Sequence, residues 1–517
     1  MNNQATTSDF SRMSYAGFIW RLRANRQLLG ASLGVSAALF GILKIFYPYP
    51  DFFGDSYSYI YAAASHLDIN IWPIGYSKFL ELFHSITPSA TALVAFQYFT
   101  LQLAAIHFLF TMVYFYNLTP RSRNILFLFF VVNPLTLYLC NTINSDALFA
   151  TVTLLWITEL IWVIHRPRRY RVATSAALLF VAFTIRNNAY YYPLAGALAF
   201  LLCQQSRGYK VAGVALPVLL IIPFVLFTRD AAYKLTGTRQ FSLFTGWQLA
   251  NNVLYMYDQI EVDSMDLPTA DTRELNRYAL QYFRRINPET YRPVLEDYVG
   301  NFFIRQPEAP LKQYYASQYS FKEKDANIIN WAKASQVFEQ FGKALLEQHP
   351  TAYLRYFMLP NIKHYLIPPL SHIEIYNYGL NEIDPEAQKW FHYQSTAVRV
   401  ASPTFQGKLL LLYTGLFLLL NVYYIGNILR WAFGNTGRAW KEPGVGTHFF
   451  ILAYQVLNFS FSVTATVNIL RYQYVPMLIL AGFGITLGHC LKNQTTIAKT
   501  KPRSQHQKYG ITEPNTF

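Results

Sequence analysis

Ten apolar runs, each close to the length of a membrane span, divide this chain of 517 residues. A helix of about 20 apolar residues crosses the hydrocarbon core of a bilayer. The runs are read at 28–47, 91–116, 125–140, 147–164, 172–185, 189–203, 211–227, 409–429, 449–467 and 475–491. They predict an all-α polytopic membrane protein of about ten transmembrane helices. Charged residues make up 14% of the chain, against about 25% for a soluble one. The net charge of +15 does not call for nucleic acid, because the basic residues sit in short loops between apolar runs, as the positive-inside rule expects. Cys140, Cys203 and Cys490 lie in or beside apolar runs, without disulfide or metal spacing. The polar, basic N-terminus is too long for a typical signal peptide, so the first span is expected to be retained.

Orientation follows from Lys and Arg. Arg21, Arg23 and Arg26 precede the first span, Arg121 and Arg123 follow the second, and Arg166, Arg168, Arg169 and Arg171 follow the fourth. Arg207 and Lys210 follow the sixth, and Arg430, Arg438 and Lys441 the eighth. The tail carries Lys492, Lys499, Lys501, Arg503 and Lys508. Every second connection is basic, which places both termini in the cytoplasm of a cell (inner) membrane. The fifth and sixth runs are short enough for a re-entrant hairpin, which would leave eight spans in the same orientation.

The domain plan is then a cytoplasmic segment 1–27, a membrane module 28–227 with a first outer loop 48–90, a periplasmic region 228–408, C-terminal helices 409–491 and a basic tail 492–517. The outer region is rich in aromatics, so it is expected to be folded and mainly helical. "TADTRELNRYALQYFRRI" and "NWAKASQVFEQFGKALLEQ" show the i, i+3, i+4, i+7 pattern of amphipathic helices. The aromatic, proline-punctuated stretch 349–370 suits the membrane surface.

This orientation gathers unusual polar residues on the outer face. Asp51 and Asp55 lie in "PDFFGDSYSYIYAA", Asp146 in "NTINSDALF", Arg186 opens "RNNAYYYP", and Arg471 lies in "NILRYQYVP". Ionisable groups at membrane depth default to a functional reading. Each also has a structural one. Asp55 and Asp146 can cap helices, Asp51 suits a turn, and the arginines can anchor at the interface. His364 and His372 have no ligand spacing and are read as structural. Walker A and H-E-x-x-H motifs are absent, and "GASLG" at 30–34 lies inside an apolar run, where helix packing explains it.

In these pieces the chain resembles the GT-C class of polytopic glycosyltransferases, and more narrowly the bacterial protein-mannosyltransferase and aminoarabinose-transferase-like members. The resemblance rests on "FGDSYSYIYAA", "WPIGYSKFL", "NSDALF", "TIRNNAYYYP" and "LRYQYVPMLIL" in that order, and covers the membrane half. The class often has Glu at Asp146 and Pro at Asn187, so the chain departs from it there. The resemblance implies a GT-C-like bundle and transfer of a sugar from a polyprenyl-phosphate donor to a hydroxyl of a protein, lipid or glycan acceptor. Asp55 would act as base, with Asp146 orienting an Arg or the acceptor. Arg186 and Arg471 would bind the donor phosphate, and Asp51, Tyr57, Tyr59 and Tyr472 are candidates for contact with sugar or acceptor. Some members hold a divalent cation between such acidic loops, but Asp55 and Asp146 lack a third ligand, so no metal is assigned. The alternatives are another membrane enzyme of lipid-linked glycans, such as an O-antigen ligase or polymerase with Arg and His in its large loop, or a multi-pass transporter with charges near mid-membrane.

Overall fold

A computed structural model describes residues 13–500, apart from 117, 298–299, 321–324 and 434–443. Arg438, Lys441, Lys501, Arg503 and Lys508 therefore lie outside the described residues. Helix makes up 78% of the structure, and no strand occurs among the described residues beyond two isolated bridges.

Among the described residues, seven helices are long and apolar enough to cross a membrane. The first is α1 (Arg23–Phe46). Two short helices, α2 (Gly54–Ala64) and α3 (Gly75–His84), fill the first loop. Next come α4 (Ala90–Tyr116), α5 (Pro120–Asn141) and α6 (Ser145–His165). Then follow α7 (Arg169–Ile185), α8 (Tyr192–Leu202) and the long α9 (Arg207–Thr236). The outer region contributes α10 (Thr245–Leu254), α11 (Ala270–Arg285), α12 (Ala326–Gln348) and a continuous helical segment α13 (350–366) with a π turn at Leu354–Met358. Last are α14 (Phe405–Phe433), α15 (Val445–Ala465) and α16 (Tyr474–Thr500).

Burial varies widely across the seven. The most apolar, α9, has only 11% of its apolar window buried, and α1 and α14 have 17% and 22%. The less apolar α4 is 67% buried. In water such bare apolar helices would be an aggregation liability; against lipid tails they are the favourable surface. Helices α4, α5, α6 and α16 form the interior, and α1, α9 and α14 face the lipid.

Helices α7, α8 and α15 fall outside the seven. Helix α7 runs antiparallel to α6: Arg171 Nη1 lies 2.5 Å from Glu159 Oε2 towards one end, and Arg186 meets Asp146 at the other. A 3₁₀ turn, Asn187–Tyr191, feeds α8, whose far end returns to the Arg168 side, where Lys210 Nζ donates to the Leu201 carbonyl at 2.8 Å. Tyr209 Oη donates to the Arg168 carbonyl at 3.1 Å. These contacts bring the start of α9, which follows α8, back beside the start of α7. Helices α7 and α8 both keep apolar residues at the surface, Val181 on α7 and Leu194 and Leu201 on α8.

The region set out as 228–408 is not one body. Trp247, Phe303, Phe338 and Phe357 share a core of their own, built on α10 to α12 and the start of α13. Helices α10 and α12 cross closely: a Cβ on Gly246 would fall onto the Ser335 carbonyl, and Trp247 stacks on Trp331 with centroids 3.9 Å apart. The two predicted amphipathic helices are α11 and α12. By contrast, Tyr365, Ile373, Tyr376 and Val398 join the core of the bundle. The segment after α13 folds over the first loop, with Tyr376 Oη donating to the Pro50 carbonyl at 2.9 Å and the Ala401 amide donating to the Phe46 carbonyl at 3.0 Å.

Candidate functional site

Helix α2 begins at the Pro50–Phe53 turn. Phe53 is its N-cap, and the Ser56 hydroxyl reaches back to accept from the Phe53 amide at 2.9 Å. Ser56, not Asp55, thus does the capping. Asp55 sits in the first turn, where the helix dipole favours a carboxylate, and its side chain has no hydrogen bond or ion pair among the described residues. Four residues on, one helical turn along the same face, the buried Tyr59 hydroxyl lies 3.0 Å from Ser145 Oγ.

Three more elements bring charge to this face. Asp146 lies in the first turn of α6 and is 5% exposed. Arg186 ends α7, and Arg471 lies in the 3₁₀ turn Leu470–Gln473 that leads into α16. Asp146 binds both arginines: Oδ1 meets Arg186 Nη1, and Oδ2 accepts from Arg471 Nη1 at 3.0 Å. The Tyr472 ring lies 4.3 Å from the Arg186 guanidinium and 5.2 Å from that of Arg471, and Phe53 covers Arg471 at 4.9 Å. A buried carboxylate between two cations, walled by aromatic faces, holds the guanidiniums in fixed positions.

Asp55, Tyr59, Arg186, Arg471 and Tyr472 line one cavity of about 220 Å³, and Arg305 from the outer region joins them. Arg305 contacts the His372 ring. Burial, followed by the charges of Arg305 and Arg471, pushes His372 down to about 4, so it is neutral and accepts from Arg305 at physiological pH. Three guanidiniums thus face two carboxylates, and the cavity has an excess of positive charge. Its buried orphan atoms point the same way. Arg471 Nε, Asn144 Nδ2 and Trp331 Nε1 are donors without a partner among the described residues, against one orphan acceptor, Asn187 Oδ1. Leaving a buried donor unpaired costs about 1–3 kcal/mol, so an oxygen-rich anion is the ligand the cavity stabilises.

Asp146 stands directly behind the arginines. With both of its oxygens on guanidinium, it does not fit as a partner of Asp55 in holding a dication. Among the described residues, no group of three His, Cys, Asp or Glu side chains stands close enough to hold a metal.

Two candidates lie elsewhere. Asp51 is 3% exposed and outside the cavity. Its Oδ1 accepts from the Asn377 amide at 2.8 Å and its Oδ2 from Gln406 Nε2 at 3.3 Å, while its backbone bridges to the 141–143 turn. It is a buried fastener between the first loop, the 371–404 segment and α14, not a contact for sugar or acceptor. Tyr57 stacks on Phe52 with centroids 5.9 Å apart and faces a second cleft on the other side of α2. No family model, curated protein or solved structure matches the chain. What the site can do therefore has to be argued from its own chemistry.

Sequence reading missed Arg305. The signal was there, an arginine closing "NFFIR" after three apolar residues, but no motif tied that stretch to the bundle.

Proposed function

We propose that this protein is a membrane glycosyltransferase that moves a sugar from a polyprenyl-phosphate-linked donor to an acceptor hydroxyl at the outer face of a cell membrane. The observation that carries the reading is a carboxylate without a hydrogen-bond or ion-pair partner among the described residues, Asp55, in a cavity that three arginines make positive. In the reaction, Asp55 takes the proton of the acceptor hydroxyl as its oxygen bonds to the anomeric carbon. The bond from that carbon to the phosphate oxygen breaks, and its electron pair leaves with the polyprenyl phosphate. In-line attack inverts the anomeric configuration. Charge on the phosphate grows as the bond breaks, so Arg186, Arg471 and Arg305 favour the transition state over the ground state. A general base contributes about 10²–10⁴-fold.

In this reading α7, α8 and α15 complete a bundle of ten transmembrane helices in the GT-C manner. Both termini lie in the cytoplasm and the cavity opens at the periplasmic face. That no described charge cluster lies mid-bundle, with the Glu159–Arg171 pair towards one end, favours an enzyme over a transporter. A second reading draws on a specific observation: Arg305 and His372 come from the large outer region, the trait expected of a ligase or polymerase of lipid-linked glycans, whose donors carry a diphosphate.

One experiment separates the two. Purified protein is given labelled sugar on polyprenyl monophosphate or polyprenyl diphosphate, with a cell-envelope extract as acceptor. Transfer from the monophosphate supports the proposal. Transfer from the diphosphate alone moves the protein to the ligase or polymerase class.

A further inference from the structure

A larger cavity lies on the opposite side of α2. It is an open cleft of about 610 Å³ between α2, the start of α12 and the 384–386 turn. That volume falls in the usual range for ligand sites. Helix α2 is the wall between the two cavities. Asp55 and Tyr59, one turn apart, face the smaller one, while Tyr57, Ser58 and Tyr61 face the larger. Ile71 and the adjacent Trp72 divide in the same way, and Trp331 forms a rim common to both.

The two cavities have opposite electrostatic character. Asp325, Asp384 and Glu386 line the cleft against one cation, Lys312, which is held 5.8–5.9 Å from the rings of Trp247, Tyr315 and Trp331. Among the described residues the cleft is therefore net negative. The carboxylates are spread around it: Asp325 accepts from the Tyr61 hydroxyl, and Asp384 accepts from the Glu386 amide at 2.8 Å. The described residues contain no trio of ligands that would make this a metal site. Aromatic faces with carboxylates at their edges suit a pyranose: the rings meet its C–H faces, and the oxygens accept from its hydroxyls.

We propose that this cleft is the acceptor site and that it selects a neutral or cationic glycan over an anionic one. The proposal rests on the glycosyltransferase reading and names its acceptor class. A lipid-phosphate donor needs the positive cavity and is repelled by the cleft, whereas a hydroxylated acceptor reaches Asp55 past the Trp331 rim. Opposite charges on the two sides of α2 keep the substrates apart until both are bound.

The test measures direct binding, by tryptophan fluorescence, of three sugar tetramers to the purified full-length protein. They are chitotetraose (neutral), its de-N-acetylated form (cationic) and tetragalacturonate (anionic). The expected result is binding of the first two and at least about tenfold weaker binding of the third, as like charges at a partly open site imply. The Asp384→Asn/Glu386→Gln double variant changes two exposed side chains and should erase the discrimination. Equal binding of the anionic tetramer, no binding of any tetramer, or discrimination retained by the double variant each overturns the proposal. Any of these with sugar transfer intact leaves the glycosyltransferase reading standing. Discrimination without transfer from any polyprenyl donor overturns the enzyme reading and leaves a glycan-binding cleft.

Discussion

Asp51, Asp55 and Asp146 carry the same side chain and have three different fates. Asp55 lines the cavity without a partner among the described residues, Asp146 bridges two guanidiniums, and Asp51 is sealed in the protein. Nothing local separates Asp51 from Asp55, because the partners that bury Asp51 are Asn377 and Gln406, more than 300 residues away. The same holds for Tyr57 and Tyr59: the helical period puts them on different faces of α2, but only the fold says which face meets the arginines. Burial pushes Asp51 up to about 7 from an ordinary 3.8, outweighing the N–H donors that pull it down. Between those values the folded state binds more protons than the unfolded one. Stability from Asp51 is therefore full below about pH 4 and is lost as pH rises towards 7, by at most about 1.4 kcal/mol per pH unit. In Asp51→Asn this slope should disappear, so thermal unfolding should fall with pH less steeply in the variant than in wild type over that window. Asp146→Asn should act differently. It leaves Arg186 and Arg471 buried without their carboxylate, at a cost of about 3–5 kcal/mol, seen as a lower unfolding temperature in detergent.

At the scale of elements, helices whose environment is written in their own residues were legible. Helices α11 and α12 show a polar and an apolar face, and both form where expected. The short α7 and α8 left open whether they cross, because neither apolar run reaches the length that a lone membrane span needs. The outer region read as one unit because its 359–404 part is as aromatic as the rest, although it packs with the bundle. The "WPIGYSKFL" element now has a physical reason for its glycine. A Cβ on Gly75 would stand 2.6 Å from the Thr184 carbonyl, at the end of α7 and two residues before Arg186. Gly75→Ala should push that end aside and misplace the guanidinium. We expect a loss of about 1–3 kcal/mol from overpacking, and a loss of sugar transfer larger than that stability change explains. Transfer at wild-type levels in Gly75→Ala would show that the α3–α7 contact does not position Arg186.

The whole molecule is arranged around two media and two cores. Apolar α9 and α14 are bare because lipid is their solvent, and the outer helices close a separate core around Trp247. Leu219, 63% exposed on α9, tests the first point. On a water-facing helix Leu219→Arg would change stability by less than about 0.5 kcal/mol, whereas facing lipid it should cost about 2.5–3.5 kcal/mol and lower the yield in the membrane fraction. The central claim is that the positive cavity at the junction of the bundle and the outer region is where a lipid-phosphate sugar reacts, with Asp55 as base. The most direct measurement is the rate of labelled sugar transfer from polyprenyl monophosphate by wild type and by Asp55→Asn, each shown by thermal unfolding to be folded. The account predicts a fall of about 10²–10⁴-fold in the variant at an unchanged unfolding temperature. Transfer at the wild-type rate by a folded Asp55→Asn protein would contradict it.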